Sequence, residues 1–112
     1  MKYALLIYSK PGSHEALSED EYKAVFGEYM TLADDPRCLG SGQLQPVETA
    51  TTVRVQNGKM LTTDGPYADT KEVFGGYYLF DADNLDEAIE LAGRIPAARL
   101  GGAIEVRPLA ES

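Results

Sequence analysis

The chain is poor in the residues that carry redox, metal and nucleophile chemistry. Of its 112 residues, one is cysteine (Cys38), one is histidine (His14) and none is tryptophan. A single cysteine excludes an internal disulfide. With no CxxC neighbour and no basic cluster beyond Arg37, it also makes a poor nucleophile. One histidine and one cysteine cannot build a structural zinc site. Cations are scarce as well: 10 Lys and Arg stand against 18 Asp and Glu, for a formal net charge of −8. Scattered basic residues on an acidic chain argue against direct nucleic-acid binding and against anionic membrane surfaces. The acidic runs at 19–21 and 81–87 lack the alternation and glycine of a calcium loop. No glycine signature for phosphate is present. The longest apolar run, residues 3–8, is far short of a membrane span. The N-terminus shows no signal-peptide pattern. The expectation is a soluble cytoplasmic protein with no metal and no cofactor.

What is there reads as one α+β domain over residues 1–112. Residues 2–8 alternate as a strand, with Tyr3, Leu5 and Ile7 on one face and Ala4, Leu6 and Tyr8 on the other. Ser18 and Glu21 form a capping box, and Tyr22, Val25, Phe26, Tyr29 and Ala33 give the helix that follows one apolar stripe. Pro36 ends it. A weak strand is expected over 39–45. A hairpin follows, with arms at 50–56 and 59–63 joined by Asn57-Gly58, the favoured two-residue turn. Residues 73–81 form a strand that is apolar on both faces, with Gly75-Gly76 marking a bulge, a close backbone approach or room for a ligand. Asn84 and Glu87 read as a second capping box, and Leu85, Ala88, Ile89 and Ala92 as its helix stripe. Residues 102–108 are the last strand, with Pro108 pointing to a sheet edge.

This order, β-α-β-(β-hairpin)-β-α-β, is the ferredoxin-like split βαβ pattern with an added hairpin. Both helices cover one sheet face, so the apolar second face needs a cover. The expected cover is a second copy packed sheet to sheet, a homodimer forming a dimeric α/β barrel. The alternative is that the C-terminal tail or the hairpin covers it within one chain.

Candidate chemistry gathers around residues 64–80. Asp64 at the mouth of a turn is a candidate general base, though Asp-Gly-Pro is also ordinary turn chemistry. Lys71 and Glu72 form a candidate ligand-binding pair, or else an interface salt bridge or part of a solvated loop. Tyr8, Tyr77 and Tyr78 are candidate pocket tyrosines, or core and interface residues. Histidine titrates near neutrality, which makes His14 a candidate acid or base, although it has no partner at a telling spacing.

The segments ATTVRV (50–55), NGK (57–59), TDGPYADTKE (63–72) and GGYYL (75–79) resemble the DGPF branch of the YCII-related family, with Tyr67 where the family name has phenylalanine. The match continues through LDEA (85–88) and EVRP (105–108), and covers essentially the whole chain. The resemblance implies a dimeric α/β barrel of ferredoxin-like protomers. It also implies an enzymatic activity suspected from a histidine on the first helix paired with an aspartate. Here that helix holds no histidine. His14 precedes it, and Asp34 or Asp35 stands near its end. The expected function is binding of a small polar or anionic ligand, with or without catalysis. Gly65, Pro66 and Tyr67 join Tyr8, Lys71, Glu72 and Tyr77 as ligand-binding candidates. The alternative is a non-catalytic interaction module acting with a sigma-factor-type regulator, which rests on fusions known in the family.

Overall fold

Two strands with apolar residues on both faces form the centre of the sheet. The computed structural model describes residues 1–110. In it β1 (Lys2–Ser9) pairs antiparallel with β5 (Val73–Asp81), while β2 (Cys38–Gln43) and β6 (Ala103–Pro108) take the edges in the order β2-β5-β1-β6. This is the ferredoxin-like order, and Pro108 does lie on an edge strand. The strands β3 (Thr51–Gln56) and β4 (Lys59–Asp64) pair only with each other, as a separate two-stranded sheet. Asn57 and Gly58 join them, both with positive φ (51° and 76°), the backbone that a tight hairpin turn requires.

The helices α1 (Glu19–Ala33) and α2 (Leu85–Gly93) lie on the same sheet face. That face carries Leu5, Ile7, Tyr78 and Phe80, which pack with Leu32, Leu91 and Ile95 into the main core. Leu5, Phe80 and Ile95 are fully buried, each stabilising the fold by about 1.5–3 kcal/mol. Ser18 and Glu21 close the expected capping box at α1. At α2 only half of the second box forms. Asn84 accepts from the Glu87 amide, but the Glu87 carboxylate turns to Arg37, 3.0 Å away. An ion pair on a neighbouring element outcompetes the local backbone amide.

Both helix stripes are shifted from those the spacing predicts. On α1 the buried residues are Val25 and Leu32, and Tyr22 and Phe26 stay about half exposed. On α2, Ala88, Leu91 and Ala92 are buried, and Leu85 and Ile89 face out. The bulge falls at Gly75, where the β1–β5 register slips between Ile7–Gly76 and Tyr8–Phe74. Gly76 is held to glycine by close approach: a Cβ there would stand 2.8 Å from the Gly42 carbonyl oxygen.

The second sheet face carries the pairs Ala4–Leu79, Leu6–Tyr77 and Tyr8–Phe74. Neither helix packs there. The Tyr8 and Phe74 rings meet at 5.5 Å, and Phe74 remains exposed. Leu109 runs on alongside β1, its amide donating to the Lys2 carbonyl; the last two residues of the tail expected as a possible cover lie outside the described residues. The hairpin makes no cover within the chain either, since nearly all of its strand residues are exposed. Among the described residues, no helix is long and apolar enough to cross a membrane.

Candidate ligand cleft

Because α1 stands partly clear of the sheet, its apolar side borders open space instead of closing on the core. The result is a cleft of about 710 Å³ between α1, the loop after β1 and the β2–β5 edge. This volume falls within the range of small-molecule sites. One wall is Tyr22, Val25, Phe26, Tyr29, Met30 and Ala33 of α1. The floor is backbone and short side chains: Ser9, Ser41, Gly42, Gly75 and Gly76. The loop contributes Lys10, Gly12, His14 and Glu15, and the segment before β3 contributes Leu44, Pro46, Val47 and Glu48.

The loop after β1 is folded by its own backbone. Ser13 donates to the Lys10 carbonyl, Ala16 to that of Gly12 and Leu17 to that of His14, with Gly12 taking φ +81°. This winding aims His14 back at α1. Its Nε2 lies 2.8 Å from the Tyr29 hydroxyl and its Nδ1 lies 3.1 Å from the Ser13 hydroxyl. Both ring nitrogens are therefore engaged in either tautomer. The Tyr29 main chain is fixed in turn, because the Tyr78 hydroxyl donates to the Tyr29 carbonyl at 2.7 Å.

Burial raises the Tyr29 pKa, opposed by the Ala97 backbone amide and the Arg99 charge. Burial also raises that of Tyr78, helped by the neighbouring Tyr29 and Cys38. Both phenols are thus neutral donors across the physiological range. Ser13, His14 and Tyr29 form a hydrogen-bonded chain whose histidine and tyrosine both border the cleft. It can donate to, or exchange a proton with, an oxygen or nitrogen of a bound molecule. The charged groups bordering the cleft are one lysine (Lys10) and two glutamates (Glu15, Glu48), so no cationic cluster faces it.

The residues expected from the sequence fall in three places. His14 borders the cleft, while Tyr77 belongs to the second sheet face beside Leu6 and only meets the cleft rim at the β2 edge, its ring lying across Gly42. Tyr8 belongs to the second sheet face, against Phe74. Asp64, Gly65, Pro66 and Tyr67 sit where the hairpin returns. That turn is held by the Gly65 amide on the Ala50 carbonyl and the Thr52 hydroxyl on the Gly65 carbonyl, not by the Asp64 carboxylate. The Arg54 guanidinium lies 4.8 Å over the Tyr67 ring. Lys71 and Glu72 precede β5, and among the described residues neither makes an ion pair. Thr70 donates to the Glu72 carbonyl. The two candidate aspartates of the suspected histidine–aspartate pair do not reach His14. Asp34 is the C-cap of α1, and Asp35 is bound to Arg37 at 2.9 Å.

Sequence reasoning placed Tyr29 on a helix stripe and missed it as a site residue. Nothing in the spacing of residues 14 and 29 marks a contact, because their meeting depends on how the intervening loop winds. Among the described residues, no cluster of acidic, histidine or cysteine side chains is arranged to hold a metal ion.

An α+β sandwich of ferredoxin-like topology, with a cleft under its first helix, is the class that fold and site define. The chain belongs to the YCII-related domain family, whose model matches residues 1–112. An uncharacterised protein of Rhizobium meliloti (strain 1021) is 35% identical over 117 residues, covering 98% of this chain and 93% of its own. Among solved structures, 5-chloro-2-hydroxyhydroquinone dehydrochlorinase from Burkholderia phenoliruptrix AC1100, in complex with 2,5-dihydroxybenzoquinone, shares the fold. Its TM-score is 0.56 at 18% identity, over 100% of this chain and 96% of that one.

Proposed function

We propose that this YCII-family protein binds a small polar molecule in the cleft beneath α1, and that Tyr29, backed by His14, is the group that donates to it or exchanges a proton with it. The observation that carries this reading is the 2.8 Å contact of His14 with Tyr29 inside a cavity of about 710 Å³. Polar hydroxyls at one end and an apolar helix wall along the side suit a ligand with a ring or short apolar body and an oxygen function. The Burkholderia dehydrochlorinase of the same fold holds 2,5-dihydroxybenzoquinone, a molecule of that size. With one lysine against two glutamates at the border, the cleft favours a neutral polar ligand over an anion.

The working unit in this reading is a homodimer, joined through the second sheet face of Ala4, Leu6, Tyr8, Tyr77 and Leu79. Such a pairing gives the dimeric α/β barrel and covers an apolar face that no element of the described chain covers.

Ligand-observed NMR against pools of small hydroxylated and aromatic compounds tests the site. Wild type is compared with His14→Gln, Tyr29→Phe, Asp64→Ala and Lys71→Ala. Binding weakened about tenfold in Tyr29→Phe, weakened to a lesser degree in His14→Gln and unchanged in the last two is the expected result. Binding of undiminished strength in both His14→Gln and Tyr29→Phe sinks the cleft assignment. Loss in Asp64→Ala alone moves the site to the hairpin turn.

A further inference from the structure

Among the described residues, the β3–β4 hairpin pairs with no other strand of its own chain. Apart from half-buried Thr52, every residue of its two strands is exposed. The register pairs Val53 with Thr62 and Val55 with Met60, so Val53, Val55 and Met60 share one face. They are 55%, 69% and 71% exposed. A lone two-stranded ribbon is only marginally stable in water.

The whole chain carries the same signature. Its radius of gyration is 15.8 Å, against about 13 Å for a compact domain of this length. Its accessible surface is 7897 Å², against roughly 6,100 Å² for a compact monomer of this mass. The excess, roughly 1,800 Å², is what one partner contributes to a large obligate interface.

We infer that the hairpin is an exchange arm: in the dimer, each copy lays its Val53–Val55–Met60 face over α1 of the second copy and closes that copy's cleft. This rests on the homodimer reading above and adds to it which elements cross. Three observations select α1 of a second copy as the landing surface. First, α1 offers matching apolar surface along the cleft mouth in Tyr22, Phe26 and Met30, at 51%, 52% and 45% exposure. Second, the charges are complementary. The arm holds two of the chain's ten basic residues, Arg54 and Lys59, and one of its eighteen acidic residues, Asp64. The landing surface is acidic, and Glu15 and Asp20 there have no ion-pair partner among the described residues. Third, the reach is sufficient. A six-residue strand extends about 20 Å, and the chain is 20 Å thick along its shortest axis. An arm leaving one sheet edge can therefore cross a protomer to its helix layer.

The test is sedimentation velocity of wild type and of a Val53→Ser, Val55→Ser, Met60→Ser variant, read with hydrogen exchange over residues 22–30. All three side chains are exposed, so the variant keeps its fold. The expected result is a dimer whose dissociation constant rises at least tenfold in the variant, together with faster exchange along α1. A wild type that is monomeric at micromolar concentration overturns both the dimer and the arm. A variant dimer of unchanged strength overturns the arm alone. A weakened dimer whose α1 exchange is unchanged overturns the landing on α1.

Discussion

His14 and Tyr29 meet at 2.8 Å, joining the loop after β1 to the middle of α1 at the edge of the cleft. The contact fixes two things at once. It sets the rim of the cavity, because the loop cannot swing away without breaking it. It also engages both ring nitrogens of His14, so under the proposed function the Tyr29 hydroxyl is the atom of this chain left to meet a ligand.

Tyr29→Phe removes that hydroxyl while keeping the ring that helps line the cleft. Ligand affinity is expected to fall about tenfold, the effect of losing one hydrogen bond of about 1–1.5 kcal/mol. Thermal stability is expected to change little. His14→Gln, which keeps a hydrogen-bonding group near the same place, is expected to retain more affinity than His14→Ala. Titration calorimetry on the ligand found by the NMR screen measures both series. Equal affinity in wild type and Tyr29→Phe would count against the relay as a ligand contact.

The two tyrosines of the α1–β5 contact give the fold an alkaline weakness. Burial raises the pKa of Tyr78 and of Tyr29 in the folded chain, while an unfolded tyrosine titrates near about 10. Above that pH the unfolded state has released protons that the folded state still holds, so stability falls as pH rises. Tyr78→Phe is expected to cost about 1 kcal/mol at neutral pH through the lost bond to the Tyr29 carbonyl. It should also flatten the decline above about pH 10. Urea midpoints of both proteins at pH 7 to 11 provide the comparison. A Tyr78→Phe curve parallel to wild type would show that Tyr78 is not the responsible group.

The hairpin turn and the odd glycine pair of β5 were legible because each depends on neighbours in sequence, whereas the strand order, whose pairings are all distant in the chain, followed only from the split βαβ element order. Asn57-Gly58 carries its own backbone preference, but β1 and β5 are apolar on both faces, so their register, with its slip at Gly75, was not set by the pattern. The depth of a helix is a different kind of quantity. Periodicity puts Tyr22, Phe26 and Tyr29 on one stripe, but it does not say that α1 stands off the sheet and leaves that stripe bordering a cleft. The Glu87 side chain shows the same limit: its capping spacing is correct, and a guanidinium fifty residues away in sequence takes it. The Asp64–Glu72 segment drew attention by its density of polar residues. It lies where the hairpin returns toward β5, away from the cleft, while the histidine–tyrosine contact joins two residues with no shared motif.

Arg37 binds Asp35 at 2.9 Å and Glu87 at 3.0 Å, so it ties the end of α1 and the start of β2 to the first turn of α2. Its hydrogen bonds hold the Asp35 carboxyl down at about 2. A depressed carboxyl contributes stability that is present above the unfolded pKa of about 3.9 and is lost as pH falls toward about 2. Both partners are partly exposed, so solvent screens the pair and the effect is modest. Asp35→Asn is expected to remove the acid-side loss between about pH 4 and about pH 2. Arg37→Met is expected to lower the melting temperature at pH 7 by roughly 5 °C. Melting curves across pH 2 to 7 follow both, and a wild-type slope retained in Asp35→Asn would rule out this carboxylate as the source.

Gly102, immediately before β6, stands where there is no space for a side chain. A Cβ there would stand 2.2 Å from the Tyr8 carbonyl oxygen and 3.0 Å from that of Ala97. The atoms in the way are backbone, held by the β1–β6 pairing and by the Gly102 amide on the Ala97 carbonyl, so they cannot swing aside as a flexible side chain would. Gly102→Ala is expected to destabilise the fold by about 2–3 kcal/mol. Gly93→Ala, where a Cβ meets nothing within 4 Å, serves as its control. Equal urea midpoints for the two variants would refute the steric argument.

The second sheet face separates the dimer reading from the arm reading. Leu6 pairs with Tyr77 at its centre, with Ala4–Leu79 and Tyr8–Phe74 on either side. A lysine in place of Leu6 puts an unpaired charge in the middle of that apolar face. If the face is buried between two copies, desolvating the charge costs several kcal/mol, enough to raise the dissociation constant by a factor on the order of 100 or more. Solvent already reaches Leu6 in the single chain, where it is only half buried. Leu6→Lys should therefore keep its circular dichroism and sediment as a monomer at concentrations where wild type is a dimer. The arm variant loses only part of the interface and should remain partly dimeric under the same conditions. A Leu6→Lys protein that stays dimeric with unchanged affinity would mean that the copies meet elsewhere and that the barrel does not form.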